Sequence, residues 1–498
     1  MKRRDFIRSS VMAAVTSAPG LSVVYAAARA GHSPDVLAVT GDGREITLRG
    51  AEIDTLAGLL KGPLLLASDP GYDDARRVLN PSFDKHPALI VQPNTSADVQ
   101  AAVNFAREHR LLVAVKCGGH SHSGQSTCDR GMQIDLSHLR GVQVDTAARR
   151  VRVAGGSLLG SVDQATMPQG FVTPLGTVSH TGVGGLTLGG GFGRLARRYG
   201  MSIDNLESVD IVTADGQLRH ASSSENGDLY WAVRGGSGNF GVVTQFEFRL
   251  HPMQREVVAG LLTFPIAKAS DVLGAYADFA PAAPDELYVD PQLMIPPGGA
   301  PGTISLEVCY SGAPNEAERA LAPLRKIGKP DRDTLKTADY VQVQKNNDVQ
   351  DSRLIGTYIK GGFIPSIPRD LVAAIVEGLE PSPGRATLLF FQHCGGATSR
   401  VPDSATAFAH RYALANMMAA VGWRYGDDPA EHIAATRRYW AKLEPFTRGF
   451  YVNDMAREAT AKDINENYRG NFERLVAIKT KYDPGNLFRL NANVKPNA

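Results

Sequence analysis

Glycine constrains this chain more than any other residue. Three blocks concentrate it: Val115-Lys116-Cys117-Gly118-Gly119-His120-Ser121-His122-Ser123-Gly124, the run from Gly176 to Gly193, and Arg234-Gly235-Gly236-Ser237-Gly238-Asn239-Phe240-Gly241. A glycine backbone turns tightly and lets a ligand come close. Successive amide N–H groups in such turns form a nest for phosphate oxygens. The first block follows the apolar residues 112–115 and sets a histidine on the rim of the turn, where an imidazole can serve as a nucleophile. The 51 glycines exceed the usual share, and they cluster in these loops rather than spreading over the chain. Few folds need that much glycine without a ligand against the backbone.

With 498 residues the chain is too long for one ordinary core, so two or more domains are expected. A 43% hydrophobic and 21% charged composition is that of a soluble globular protein. The net charge of +2 removes any electrostatic case for a nucleic-acid partner. The start, Met1-Lys2-Arg3-Arg4-Asp5-Phe6-Ile7-Arg8, leads into a mildly apolar run over 11–24 and then Ala26-Ala27-Ala28. A charged start, a short apolar region and small residues at a cleavage point read as a secretory signal over 1–30. The Arg3-Arg4 pair followed by Phe6-Ile7 fits the twin-arginine type. The apolar run is too short and too rich in Ala and Ser to span a membrane. The expectation is a bacterial protein exported by the twin-arginine machinery, periplasmic or secreted, and not membrane-spanning after processing. That route carries folded proteins, often with a cofactor aboard. Four cysteines, at 117, 128, 309 and 394, are too few for a disulfide scaffold and form no C-x-x-C pair. They read as small buried thiols, with a Cys117–Cys128 bond left open.

Residues 31–84 are a mixed lead-in. Residues 88–91 then read as a short buried strand. Thr95 with Asp98 caps a helix with Val99, Ala102, Val103 and Ala106 on one face. Ile134 and Leu136, Val142 and Val144, and Val151 and Val153 alternate with polar neighbours, which is strand grammar, and the last two pairs form a hairpin. A helical stretch opens at Gly155-Gly156 and reaches about Met167. Further on, 210–213 is a strand turning at Asp215-Gly216, 228–233 a helix, and 242–250 a strand. Gly236, Gly238 and Gly241 fit G-x-G-x-x-G, but a dinucleotide fingerprint follows a strand and opens a helix. Here the order is reversed, which excludes the Rossmann reading. Beyond His251-Pro252 glycine thins, and strands (304–310, 386–391) alternate with helices (314–327, 369–379), as in a second α+β domain. A helix in the tail ends at Asp483-Pro484-Gly485-Asn486.

Four ordered stretches together carry a resemblance: the strand-GGHS loop at 115–121, GTVSHTGVGGLTLGGGFG at 176–193, DLYWAVRGGSGNFGVVTQFEF at 228–248, and NFERLVAIKTKYDPGNLFRLNANV at 471–494. The chain resembles the FAD-linked oxidases of the vanillyl-alcohol-oxidase superfamily, within the berberine-bridge-enzyme-like group. The resemblance implies an α+β fold. A PCMH-type FAD-binding domain of two α+β subdomains would occupy 85–252 and a substrate domain 253–440, whose antiparallel sheet covers the flavin. A C-terminal segment, 441–498, would return to the FAD domain. It implies FAD bonded through its ring methyl edge to His120. The cofactor contacts carried over are Lys116, Cys117, Gly118, Gly119, Ser121, Gly176, Thr177, Val178, Gly182, Gly184, Gly185, Gly189, Gly241, Val242, Tyr451 and Asn453. Many members hold the flavin a second time through a cysteine where this chain has Val178. Valine forms no thioether, so one covalent bond is expected, and the bulky sugar substrates of doubly attached relatives are put in doubt.

The implied reaction removes a hydride and a proton from an organic alcohol, amine or secondary metabolite of small or medium size. An oligosaccharide oxidase and a quinone-linked dehydrogenase stand as alternatives of the same fold, and a flavin-holding binding protein as one of another class. Asp454 stands where plant relatives often have a tyrosine after Y-x-N, and a part-buried carboxylate above a flavin is a candidate base. Gln392, three residues before Gly395-Gly396, holds another base position of the group but can only orient substrate. His393 beside it can titrate. Strand neighbours point to opposite faces, so only one of these two can face the flavin. Tyr310 and Tyr358 are further pocket candidates. Thr181 matches a residue that governs oxygen access, and its small side chain favours O2 as the electron acceptor. His120, His122 and His180 lack the carboxylate or cysteine pattern of a zinc site, so no metal is expected.

Overall fold

Period-two alternation in this chain builds three main sheets, and the loops between them converge on one place. The computed structural model describes residues 32–349, 354–379, 382, 384–454 and 458–497. The export signal read over 1–30 lies outside the described residues. The first sheet orders Leu64–Leu65, Leu89–Val91, Met132–Asp135 and Val113–Lys116, with the last three parallel. A parallel pair needs a crossover. Helix Ser96–Glu108 supplies one, and the Thr95 side chain accepts from the Asp98 amide to cap it. Val99, Ala102, Val103 and Ala106 are buried against the sheet as their spacing predicts. The histidine loop leaves the C-terminal end of Val113–Lys116.

The second sheet is antiparallel: Leu218–Ser222, Leu206–Val212, Val242–Arg249, Arg150–Ala154 and Val142–Asp145. The third is a large antiparallel sheet built from 256–424. It runs Arg332–Asp333, Glu256–Pro265, Thr303–Tyr310, Leu287–Ile295, Ala386–His393, Ala415–Arg424 and Ile355–Ile364, and Lys336–Asp339 pairs beside the second of these. Its far face packs on helices Ala269–Phe279, Ala317–Arg325, Arg369–Glu377 and Ala430–Leu443 through Leu273, Tyr276, Leu321, Ile375, Trp440 and Leu443. This mixture of one partly parallel sheet, two antiparallel sheets and outer helices is α+β. The lead-in has a definite form: a hairpin of Val36–Val39 and Glu45–Leu48, then helix Gly50–Leu59. The glycine run also holds a helix, Val183–Gly189, despite the cost of glycine there. Its small residues let it lie against Gly155 and Cys117.

Helix Phe472–Tyr482 returns to the second sheet, burying Leu475, Ile478 and Tyr482 with Leu229 and Phe240. Lys479 on this helix is fully buried. Its Nζ donates to Asp483 Oδ2 at 2.6 Å, to the Asn239 carbonyl at 2.7 Å and to the Phe488 carbonyl at 2.9 Å. One ammonium thus ties the C-terminal helix to the 234–241 glycine block. Lys479→Ala leaves Asp483 charged and buried, and such losses cost about 3–5 kcal/mol. A correspondingly lower urea midpoint is expected, and an unchanged midpoint would show that the ammonium does not tie these segments.

Candidate functional site

The glycines of the first two blocks permit a backbone crossing. A methyl group on Gly118 would sit 2.3 Å from the Gly182 amide nitrogen, and one on Gly182 would sit 2.4 Å from Cys117 Sγ. Only glycine allows that approach. Residues 178–183 are braced from behind, since Leu159 N donates to Thr181 O, Gly160 N to Ser179 O and Val183 N to Ser157 O, at 2.8–3.0 Å. The crossing brings His120 and His180 together although they are 60 residues apart. His120 Nε2 and His180 Nδ1 are 2.6 Å apart, and Thr181 Oγ1 is 3.3 Å from His120 Nδ1. Burial, then the neighbouring His180 and His122, push His120 down to about 3, so its imidazole is neutral.

A cavity opens on this crossing. Of the residues predicted for a cofactor, Cys117, Gly118, Gly119, His120, Ser121, Gly176, Thr177, Val178, Gly182, Gly184, Gly185, Gly241, Val242, Tyr451 and Asn453 line it, as do Thr181, Gln392 and Asp454. Cys117 is a free thiol that burial pushes up to about 11, and Cys128 is also free. Two predicted contacts do not reach the cavity. Lys116 turns its ammonium to the Ala75 carbonyl and to Asp135, 3.4 Å away, because alternation along its strand points it to the other side. Gly189 instead packs against the Asn453 amide. Residues not predicted as cofactor contacts, including Gln125, Ser126, Gly238 and Asn491, also line the cavity. Ser126 Oγ and Asn491 Oδ1 are buried without a hydrogen-bond partner among the described residues. In a cavity lining, such atoms are open to the polar groups of a ligand. Asn491 lies in a recognisable tail motif, but nothing in the motif marks it out.

Asp454 ends a short 3-10 turn, Val452–Asp454, and is buried. Its Oδ2 accepts from Asn416 Nδ2 at 2.9 Å, and its Oδ1 lies 4.0 Å from His122 Nε2. Burial raises its carboxyl above the usual range, while His122 and Asn416 act in the opposite direction. His122, weighed from sequence only as a metal ligand, is therefore the neighbour of a buried carboxylate. Asn416 Nδ2 also donates to Gln392 Oε1 at 3.0 Å, while Asn416 Oδ1 is buried with no partner among the described residues.

The third sheet walls this end. Gln392 pairs with Asn416 across strands, Phe390 with Met418 and Gln292, and Leu388 with Ala420 and Met294. Directly opposed residues share a face, so Phe390, Leu388, Met418 and Ala420 continue the face on which Gln392 meets the cavity. His393 is on the other face, which corrects its candidacy. It is fully buried among helices, edge-on to Tyr276, with its Nε2 3.1 Å from Arg197. Burial holds it far below the ordinary imidazole range. Tyr310 lies in the helix-side core, and Tyr358 turns away to Glu458 and Arg437.

Three comparisons with known proteins bear on this site. A family model described as an FAD binding domain matches residues 87–222, and one described as berberine and berberine like matches 451–495. An FAD-linked oxidoreductase of Dictyostelium discoideum is 33% identical over 414 residues, 82% of this chain and 89% of that relative. A crystal structure of 6-hydroxy-D-nicotine oxidase from Arthrobacter nicotinovorans aligns with a TM-score of 0.81 at 28% identity, covering 88% of this chain and 98% of that one. A chitooligosaccharide oxidase aligns at 0.81 and 24% identity, a likeness of fold. The glycine nest and the unpartnered Ser126 and Asn491 fit FAD. Gly182→Ala forces the crossing apart, at a cost of about 1–3 kcal/mol or more. Bound FAD per chain, read from the ratio of flavin to protein absorbance, is expected to fall severalfold. Gly58→Ala, with nothing near its added methyl, should leave the ratio unchanged.

Proposed function

The chain belongs to the FAD-linked oxidoreductases of the berberine-bridge-enzyme-like family, and on that premise we propose that it is an exported oxidase holding FAD through the single residue His120 and oxidising a neutral, largely apolar organic alcohol or amine. FAD supplies a two-electron acceptor. The observation that carries the reading is Asp454, a buried carboxylate in the cavity beside His120 whose Oδ1 has no hydrogen bond among the described residues.

The residues divide the work as follows. Asp454 Oδ1 takes the proton from the substrate's O–H or N–H, while Asn416 Nδ2 holds Oδ2 in place. His122, with 31% of its side chain exposed, links the buried carboxylate to solvent so that the proton can leave. Gln392 has its Oε1 occupied by Asn416, which leaves its Nε2 hydrogens to orient the substrate heteroatom. Asn416 Oδ1 supplies an unused acceptor. The neighbouring wall of Phe390, Leu388, Met418 and Ala420 favours an apolar body. The carboxylates on that face are already engaged, Glu307 by Arg194 and Gln292 and Asp290 by Tyr288 and the His393 amide. This favours a neutral ligand over a cationic one. Thr181 keeps the region beside His120 small, in support of O2 as acceptor with H2O2 as product. Export rests on the Arg3-Arg4 signal. No helix among the described residues is long and apolar enough to cross a membrane.

A peroxide-coupled screen of aromatic and aliphatic alcohols and of aromatic amines, all neutral at working pH, tests the substrate class. A response to oligosaccharides alone would overturn it, and flavin bleaching without peroxide formation in air would point to a dehydrogenase. With any substrate found, Asp454→Asn is expected to slow anaerobic flavin reduction by about 10²–10⁴-fold. Because the ionised carboxylate is the active form, the wild-type rate falls as pH drops through a pKa above the ordinary carboxylate range. A flat profile would remove Asp454 from the role. Acid-precipitated wild-type protein should stay yellow and carry the mass of one FAD, and His120→Ala should release it.

A further inference from the structure

The wall beside Asp454 does not stop at the cavity. Rows of opposed residues carry its face outward along strands Ala386–His393 and Ala415–Arg424. After the Gln392–Asn416 row comes Phe390 opposite Met418, and then Leu388 opposite Ala420, flanked by Met294 and Ile359. Opposed and alternate residues share a face. The small Ala420, and Gly422 after it, lie low between Leu388 and Ile359, so the middle strand is the floor of a trough with apolar sides. Two large apolar side chains on this face are open to solvent, Met294 at 46% and Ile355 at 53%. Exposed apolar surface continuous with a cavity is the form a ligand groove takes. The trough also has an end. Ile355 leans over Gly422, where an added methyl would meet its Cγ2 at 3.3 Å. In that row Asn80 Nδ2 donates to the carbonyl of Thr357, on the edge strand, at 2.8 Å. Leu79 N, next to it, donates to Gly119 O of the histidine loop at 2.9 Å. This strap from the histidine loop shuts the sheet edge there, and one row further Arg424 opposes Ile355 and the apolar face stops.

We propose that this trough seats the tail of an elongated substrate, a neutral primary alcohol whose hydroxyl end lies at Asp454 and whose unbranched apolar chain runs over Phe390, Ala420 and Leu388 towards Met294. The inference deepens the reading of Asp454 as the base of an alcohol oxidation, and it rests on that reading. Register sets the length. From Asn416 to Ala420 the strand advances about 14 Å, which is the span of roughly ten extended chain carbons. The reaction balances with dioxygen as the final oxidant. The alcohol's carbon gives up a hydride and its hydroxyl a proton to Asp454, leaving the aldehyde. The electron pair passes by way of FAD to O2, which takes up both hydrogens and leaves as H2O2. The tail takes no part in this chemistry, so the trough acts on affinity.

The test varies the tail alone. Holoenzyme is mixed without oxygen with trans-2-alken-1-ols of about four to fourteen carbons, whose allylic C–H yields hydride readily, and flavin bleaching is followed. A fully buried methylene gains about fourfold in binding. On a trough open at Met294, the dissociation constant should fall about twofold per added methylene up to about ten carbons and then level. The limiting rate should stay constant along the series, because a remote tail is held alike before and during the reaction. Met294→Glu, at an exposed position, sets a charge in the tail's path. It should shrink the ratio of the four-carbon to the ten-carbon dissociation constant at least fivefold, and Met294→Leu should keep that ratio. Affinity that still climbs past fourteen carbons, an unchanged ratio in Met294→Glu, or a ratio lost in Met294→Leu would each overturn the proposal. Affinity independent of length also overturns it and leaves the patch to a protein partner. Bleaching by none of the alcohols, short or long, is a different failure. It refutes the alcohol oxidation itself, and the trough's role falls with it.

Discussion

The site depends on one close approach, the crossing of Gly118 and Gly182. Neither loop carries the chemistry alone. The first offers a histidine at the end of a parallel strand, and the second offers His180 and Thr181 in a turn, closed by Thr181 N donating to Val178 O and braced by residues 157–160. The two meet because no side chain stands between their backbones at these two positions. With any larger residue there the segments would separate, and the 2.6 Å contact between His120 and His180 would open with them. The glycine content follows from this geometry: the loops must approach each other and leave their amides turned to a ligand.

Buried carboxylates elsewhere in the molecule show what is unusual about Asp454. Asp483 is fully buried and satisfied: Lys479 pairs with it, and the amides of Leu487 and Phe488 donate to it at 2.7 and 2.9 Å. Asp98 is likewise surrounded, by the amides of Lys61, Gly62 and Asn94 and the Thr95 hydroxyl. Those two are structural, because their partners recover what burial costs. Among the described residues Asp454 has one amide donor and an imidazole at 4.0 Å. A carboxylate so poorly compensated is destabilising where it stands, and it is retained beside a cavity.

Much of this organisation was legible in the sequence. Period-two runs located the hairpin of Val142–Asp145 with Arg150–Ala154, and Thr95 with Asp98 marked the start of a helix, because both are local patterns with local causes. The reversed order around Gly236–Gly241 argued against the Rossmann arrangement, and helix Gly227–Val233 does precede it and strand Val242–Arg249 follow. Alternation showed that Gln392 and His393 could not both face the site, but it could not say which did. Register against Asn416 and burial against Tyr276 decide that, and both are tertiary facts. His122 was given no role for the same reason: its meaning comes from Asp454, 332 positions away in sequence, and not from its own loop. Helix Val183–Gly189 was hidden because glycine propensity argues against it, and close packing overrides propensity there.

The same polar network that fixes the flavin-side loop also sets the character of the substrate wall. Gln344 Nε2 donates to Gly176 O at 2.9 Å, and Arg194 Nη1 donates to Thr177 O at 3.1 Å and to Gln344 Oε1 at 2.8 Å. Arg194 is buried, and its guanidinium is balanced by Glu307, whose other oxygen accepts from Gln292 Nε2 at 2.6 Å. Gln292 in turn stands opposite Phe390 on the sheet. A continuous chain of hydrogen bonds thus runs from the Thr177 backbone to the middle of the wall. Removing Arg194 would do two things at once: free the loop beside Val178 and leave Glu307 as an unbalanced charge facing the cavity side of the sheet. Because the charge is neutralised within the network, what the wall turns to a substrate is amide, thioether, aromatic and aliphatic surface. The absence of an uncompensated charge at Glu307 and the fixing of the loop at Gly176 and Thr177 are therefore two consequences of one buried ion pair.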